Sequence, residues 1–276
     1  MKFETLGLHH EGRVLVVTLD RPASLNAISA TMLRELRELF ELVGHDRDTS
    51  VVLIKSNGPV FSVGYDLKRE DWVADQYPAD HPHGVDIGID RQNIHALLAV
   101  WLGIWRQPKP VITQVQGPCL SGGNELLAVS DLVVASTAAT FGHPAARDLG
   151  LPPTIFFWPL LMGMKQAREL LYTAKIIDAE TALAHGLVNR VTAPEDLDAV
   201  TMALAQDMAR TPMENLIILK QATNAWYENM GLFASCATTA DFDAIFHQSE
   251  SFKTFFRLVQ DGGMKAALRD RAARYG

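Results

Sequence analysis

The chain alternates short apolar runs with amphipathic stretches. Val14-Leu-Val-Val-Thr-Leu19 is β-branched and apolar, and it stops at Asp20-Arg-Pro22, which predicts a buried strand running into a turn. Ser29 then stands as a helix cap. Met32, Leu33, Leu36, Leu39, Phe40 and Val43 recur at helical spacing, with Arg34, Glu35, Arg37, Glu38 and Glu41 on the other face, so an amphipathic helix is predicted over 30–44. Val51–Ile54 is the next strand. The alternation continues with a helix over 91–106, a strand at Val111–Val115, a short helix from Asn124 to Ser130 and a strand at Leu132–Ala135. Strands and helices in this order predict an α/β fold with largely buried sheets.

Beyond about residue 195 the strand signal ends. Leu197, Val200, Leu204 and Met208 keep helical spacing, and Met213–Asn229 and residues 236–272 also read as helices. The division expected is a core over 1–195 and a helical region over 196–276 that covers a site and completes a subunit contact. Residues 70–90 have little periodicity and are rich in Pro, Asp and His, the composition of a surface insertion over a pocket.

Composition narrows the class. The 276 residues, 48% apolar and 21% charged, suit one large domain with a sizeable core, and no apolar run is long enough to cross a bilayer. No membrane role is expected. The start carries an early acid and lacks the apolar stretch of a secretory signal, so a cytoplasmic location is expected. Cys119 and Cys236 have neither disulfide-framework nor zinc spacing, and no metal site is expected. A net charge of −7 without a basic tract speaks against a nucleic-acid partner.

Two glycine-bearing turns carry the candidate chemistry. In Phe61-Ser-Val-Gly-Tyr-Asp-Leu-Lys68 the glycine lets the backbone turn sharply after a strand, so that the Tyr65 N–H can face a cleft. The plainer reading is an ordinary strand-to-helix turn. In Gly117-Pro-Cys-Leu-Ser-Gly-Gly-Asn-Glu125 the glycines leave a bare helix N-terminus, whose N–H groups attract an anion or a developing oxyanion. Glu125 sits one turn beyond Gly122, as a catalytic carboxylate or as a residue that favours the helix's positive end. Ser121 lacks the GxSxG frame of a hydrolase nucleophile.

Taken with Asp20-Arg-Pro-Ala-Ser-Leu-Asn-Ala27, Phe141-Gly-His-Pro144 and Ala179-Glu-Thr-Ala-Leu-Ala-His-Gly-Leu-Val-Asn189, these turns make the sequence resemble the crotonase (enoyl-CoA hydratase/isomerase) family over nearly its whole length. The resemblance implies a crotonase-like spiral of repeated β-β-α units with a helical C-terminal region, assembled as a homotrimer or a dimer of trimers. It implies an acyl-CoA thioester substrate and no cofactor beyond that coenzyme A moiety. It casts the N–H groups of Tyr65 and Gly122 as an oxyanion hole and Glu125 as the first of two catalytic glutamates. Ala23, Leu25, Tyr65, Asp66, Leu67 and Lys68 resemble coenzyme A contacts, Lys68 being either a phosphate partner or a solvated charge. The second glutamate's place is taken by Ala145. His143 and Asp148 are the nearby candidates to replace it, and Tyr77, His81 and His83 could enter from the insertion. Hydration or dehydration of a 2-enoyl-CoA is the activity expected, with isomerisation, decarboxylation, carbon–carbon hydrolysis or non-catalytic acyl-CoA binding as alternatives.

Overall fold

The computed structural model describes residues 2–67, 85–155 and 157–275. Lys68, Tyr77, His81, His83 and most of the insertion lie outside them.

The buried runs become the centre of a six-stranded sheet, in the order β1 (Leu6–Glu11), β2 (Val14–Leu19), β3 (Val51–Ser56), β4 (Val111–Val115), β6 (Leu132–Ser136) and β9 (Arg190–Thr192). Only the β1–β2 pair is antiparallel. Side chains alternate across a strand, so the continuous apolar runs supply two cores at once. Leu15, Val17, Val52 and Ile54 face one side, beneath α1 (Ala30–His45), α2 (Ile87–Arg106) and α3 (Gly122–Val129). Val14, Val16, Val51 and Leu53 face the other, where α7 (Leu197–Ala209) closes the layer with Leu197 and Ala205. The first helix of the C-terminal region is thus part of the sheet's own packing.

A second, three-stranded sheet joins β5 (Pro118–Leu120), β7 (Thr140–Gly142) and β8 (Ile176–Asp178), and the short helices α4 (Phe157–Met162), α5 (Met164–Thr173) and α6 (Ala179–Ala184) lie around it in the chain. Four helices follow α7: α8 (Met213–Asn229), α9 (Leu232–Phe246), α10 (Glu250–Gly262) and α11 (Met264–Tyr275). Helix α9 buries Leu232, Cys236, Ala240 and Ala244 and packs along α2. Among the described residues no helix is long and apolar enough to cross a membrane.

Ser29 caps α1 as expected, its side chain accepting the Met32 N–H. Helix α2 starts earlier than its periodicity predicts, because Asp86 accepts the N–H groups of Gly88 and Ile89. Glu35 departs from the expected polar face. It is buried, and its carboxylate accepts the N–H groups of Glu4 (2.6 Å) and Thr5 (2.9 Å) and the Thr5 hydroxyl (2.5 Å), fixing the approach to β1. Glu35→Ala strands those donors and is expected to lower the unfolding free energy by about 2 kcal/mol in a urea titration. Exposed Glu38→Ala should change it by less than about 0.5 kcal/mol.

Candidate active site

The two glycine turns meet. Phe61 and Ser62 donate their N–H groups to the Pro118 carbonyl (3.0 and 3.2 Å), and Leu120 donates to the Ser62 carbonyl (2.9 Å), which stitches the first turn to β5. On its other side Ile28 donates to the Gly64 carbonyl (2.8 Å) and Asp66 donates to the Ile28 carbonyl (3.0 Å). Only alternate residues of an extended segment bond to a given neighbour, so the Tyr65 N–H faces away from Ile28. Gly64 has φ +98°, and a Cβ there would lie 3.0 Å from the Gly122 nitrogen. Contact this close between two backbones requires glycine.

The second turn is held by Asn124, whose side-chain amide donates to the Cys119 carbonyl (2.9 Å) and the Gly142 carbonyl (2.8 Å). Ser121 sits at φ 49°, ψ −121°, a backbone region costing an L-residue about 1–3 kcal/mol. This strained residue delivers the chain into α3 at Gly122. The Gly122 N–H opens the helix and has no carbonyl one turn back to bond.

Glu125 lies in the first turn of α3 and is fully buried. Its Oε1 accepts the Tyr65 hydroxyl (2.5 Å), and its Oε2 accepts the Thr154 hydroxyl at 3.4 Å. The Trp101 indole N–H donates to the Tyr65 oxygen (3.0 Å), so the phenol is held from both sides. Burial pushes the Glu125 carboxyl up to about 8, overcoming the opposing Tyr65 hydrogen bond, and the charge of Asp243 adds to the rise. Burial, reinforced by Glu125, also moves the Tyr65 phenol well above its usual range. At neutral pH both are protonated.

Beside this pair lies a cavity of about 110 Å³ whose walls include Tyr65, Ser121, His143, Ala145, Asp243 and His247. Glu125 is not on its wall. Tyr65 links the two, lining the cavity while its hydroxyl bonds Glu125, and a Cβ at Gly122 would lie 3.0 Å from its ring. A protonated acid, a phenol that can pass on its proton and helix-terminal N–H groups thus converge at one point, a suitable arrangement for a substrate that develops negative charge on oxygen while a neighbouring carbon exchanges a proton.

The other expected residues fall into three groups. Leu67 and His143 line the cavity with Tyr65. The His143 Nε2 lies 3.2 Å from the Gly150 carbonyl, and burial drives its pKa down to about 4, which makes it a neutral imidazole at pH 7 and a poor base. Ala23 and Leu25 are exposed at the edge of the first turn, where Val63 donates to the Leu25 carbonyl (3.3 Å). Asp66 and Asp148 are engaged elsewhere. Asp66 is buried against the Arg21 guanidinium at 2.8 Å and braces the loop. Asp148 is not the missing acid: its fully buried carboxylate is taken by Arg271 and approached by Arg274 at 3.9 Å, outside the cavity, and anchors α11. The sequence singles out none of Trp101, Thr154, Asp90, Asp243 and His247. None stands in a turn motif or a spacing that marks chemistry.

Comparison with known proteins identifies the chain's relatives. Residues 9–260 match the family model described as enoyl-CoA hydratase/isomerase. A Mycobacterium tuberculosis protein assigned as an enoyl-CoA hydratase is 32% identical over 247 residues, covering 85% of this chain and 76% of its own. The short-chain-enoyl-CoA hydratase of Clostridium acetobutylicum is 30% identical over 81% of this chain and 82% of its own. The crystal structure of an enoyl-CoA hydratase from Mycobacterium smegmatis superposes with a TM-score of 0.90 at 29% identity, over 98% of this chain and 94% of that one. With its two glycine turns in contact and its acid on the first turn of α3, the chain belongs to the enoyl-CoA hydratase/isomerase family.

Proposed function

We propose that the protein hydrates a 2-enoyl-CoA, with the Tyr65 and Gly122 N–H groups holding the thioester oxygen and the Glu125–Tyr65 pair delivering a proton to the α-carbon. The observation that carries this reading is the protonated, buried Glu125 bonded to a phenol on the cavity wall, next to the point where Gly64 and Gly122 touch. Attack of water at the β-carbon moves the double-bond electrons into an enolate whose oxygen the two N–H groups stabilise. Each such donor contributes on the order of 3 kcal/mol in a transition state. The Tyr65 hydroxyl turns its O–H to the α-carbon and accepts the Glu125 proton in return.

The coenzyme A moiety would run along the edge formed by Ala23–Leu25 and Tyr65–Leu67. Exposed apolar side chains on α8 and α9, among them Trp226, Phe242 and Ile245, support assembly as a trimer or a dimer of trimers. Ala145, where the family resemblance calls for a second acid, favours isomerisation as the second reading, because moving a double bond can use one shuttling group.

Incubation with crotonyl-CoA tests the first reading through loss of the conjugated-thioester absorbance. No loss at high enzyme concentration overturns it, and conversion of a 3-enoyl-CoA in the same assay would support the second. Tyr65→Phe removes the hydroxyl and keeps the backbone, and is expected to lower kcat about 10²-fold with KM within about threefold.

A further inference from the structure

We propose that Asp243 of α9 is the second proton-transfer carboxyl of this site, supplied from the helical region in place of the acid that Ala145 lacks and positioned by His247 and Asp90. The inference rests on the hydratase reading. Hydration needs one group to take a proton from water and another to protonate the α-carbon. Glu125 with Tyr65 is one such group, and Ala145 offers only a methyl.

Asp243 lies on the same cavity wall as Ala145 and Gly150. Its Oδ1 accepts the Leu151 N–H at 2.6 Å, and a Cβ at Gly150 would come within 2.6 Å of that oxygen. The carboxyl therefore lies against the loop that begins at Ala145, reached from α9. His247, one turn further along α9, has Nε2 3.5 Å from the Asp243 Oδ1 and Nδ1 2.7 Å from the Asp90 Oδ2. Asp90, on α2, is fully buried. A buried chain of two carboxyls and an imidazole costs more desolvation than apolar packing of equal volume, and such arrangements concentrate at functional sites.

The groups facing Asp243 are His247 from its own helix, Asp90 from α2, and Glu125 and Tyr65 from across the site; its charge raises the pKa of both of the last two. Burial lifts Asp243 to about 6 and His247 opposes the rise, whereas Glu125 reaches about 8. Between those values one carboxyl is ionised and the other protonated, the division of labour that acid–base catalysis needs. Ionised Asp243 takes a proton from water as the water oxygen bonds to the β-carbon. The π electrons move to the enolate, and the α-carbon takes the Tyr65 proton, which Glu125 replaces. Protonated Asp243 and ionised Glu125 then exchange their proton through solvent, so the net change is one water added.

The test uses the full chain with crotonyl-CoA and longer 2-enoyl-CoAs, and solvent-deuterium exchange at the α-carbon of butyryl-CoA. Asp243→Asn keeps the oxygen that accepts the Leu151 N–H. It is expected to lower hydration kcat about 10²-fold or more, with KM and α-proton exchange each within about threefold, since exchange needs only Glu125, Tyr65 and the two N–H groups. His247→Gln removes the larger of the two influences that hold Asp243 down against burial, leaving only the Leu151 N–H, and is expected to move the acid limb of the kcat profile upward from about pH 6 with KM unchanged, which a merely structural histidine would not do. Hydration by Asp243→Asn within threefold of wild type, or equal loss of hydration and exchange, overturns the role of Asp243 alone. Failure of the wild type to hydrate any of these substrates overturns the hydratase reading and this inference with it.

Discussion

Glu125→Gln is expected to lower hydration about 10³-fold while making the fold more resistant to urea at alkaline pH. In the unfolded chain this carboxyl titrates near its ordinary value of 4.5; in the fold burial raises it to about 8. The folded state therefore binds more protons between those values, and the unfolding free energy declines as pH rises through that window. Above about pH 8 the whole penalty of a buried carboxylate is present, on the order of 5 kcal/mol at about 1.36 kcal/mol per pH unit. A neutral amide removes the penalty and still offers an oxygen to the Tyr65 hydroxyl. The variant should match wild type in urea midpoint near pH 5, exceed it near pH 9, and hydrate crotonyl-CoA about 10³-fold more slowly than wild type near pH 7. Wild-type kcat should itself fall above about pH 8, where the acid loses its proton. Retained turnover in the amide variant would remove Glu125 from the chemistry.

The same physics explains which parts of this molecule are legible in the sequence. Helix α1 and strand β2 could be read because their periodicity is local, and α8 was bounded correctly at both ends. Strands β5, β7 and β8 have three residues each, too few to display a period, and their pairing comes from partners far along the chain. The glycine turns were legible because the demand for glycine is local, set at Gly64 by its own φ and the main chain against it and at Gly122 by the Tyr65 ring packed on it. Proximity to a motif misled at Asp148, whose partner Arg271 lies 123 residues away. The hydroxyl of Tyr65 reaches Glu125 across 60 residues, and His247 reaches Asp90 across 157. Asp243 and His247 alone are two polar residues four apart on a helix, a spacing shared with many solvated pairs; their burial and their common cavity exist only once α9 has folded along α2. Which surface of α1 is polar was predicted correctly except at Glu35, buried by a segment 30 residues upstream.

Gly64→Ala is the second large effect, and its counterpart Gly103→Ala shows that place, not residue type, sets its sign. At Gly103, in exposed helix, an added methyl meets nothing within 4 Å and relieves the entropy that glycine costs a helix, so stability should rise by up to about 1 kcal/mol. At Gly64 the methyl would lie 2.7 Å from the Ser121 Cβ, 3.0 Å from the Gly122 nitrogen and 3.2 Å from the Leu120 carbonyl oxygen, on a backbone at φ +98° that alanine does not readily adopt. Two of those neighbours are main chain and cannot rotate away. Relief must come from parting the turns, which moves the Tyr65 and Gly122 N–H groups relative to one another and shifts the phenol from Glu125. The expected result is a loss of about 3 kcal/mol in urea unfolding and a fall of at least about 10²-fold in kcat/KM, the cost of one misplaced donor. Because both substitutions add the same methyl, Gly103→Ala controls for any general effect of glycine removal. A Gly64→Ala protein that unfolds earlier yet hydrates crotonyl-CoA at the wild-type rate would separate the touching turns from the chemistry, and the thioester oxygen would then have to be held elsewhere.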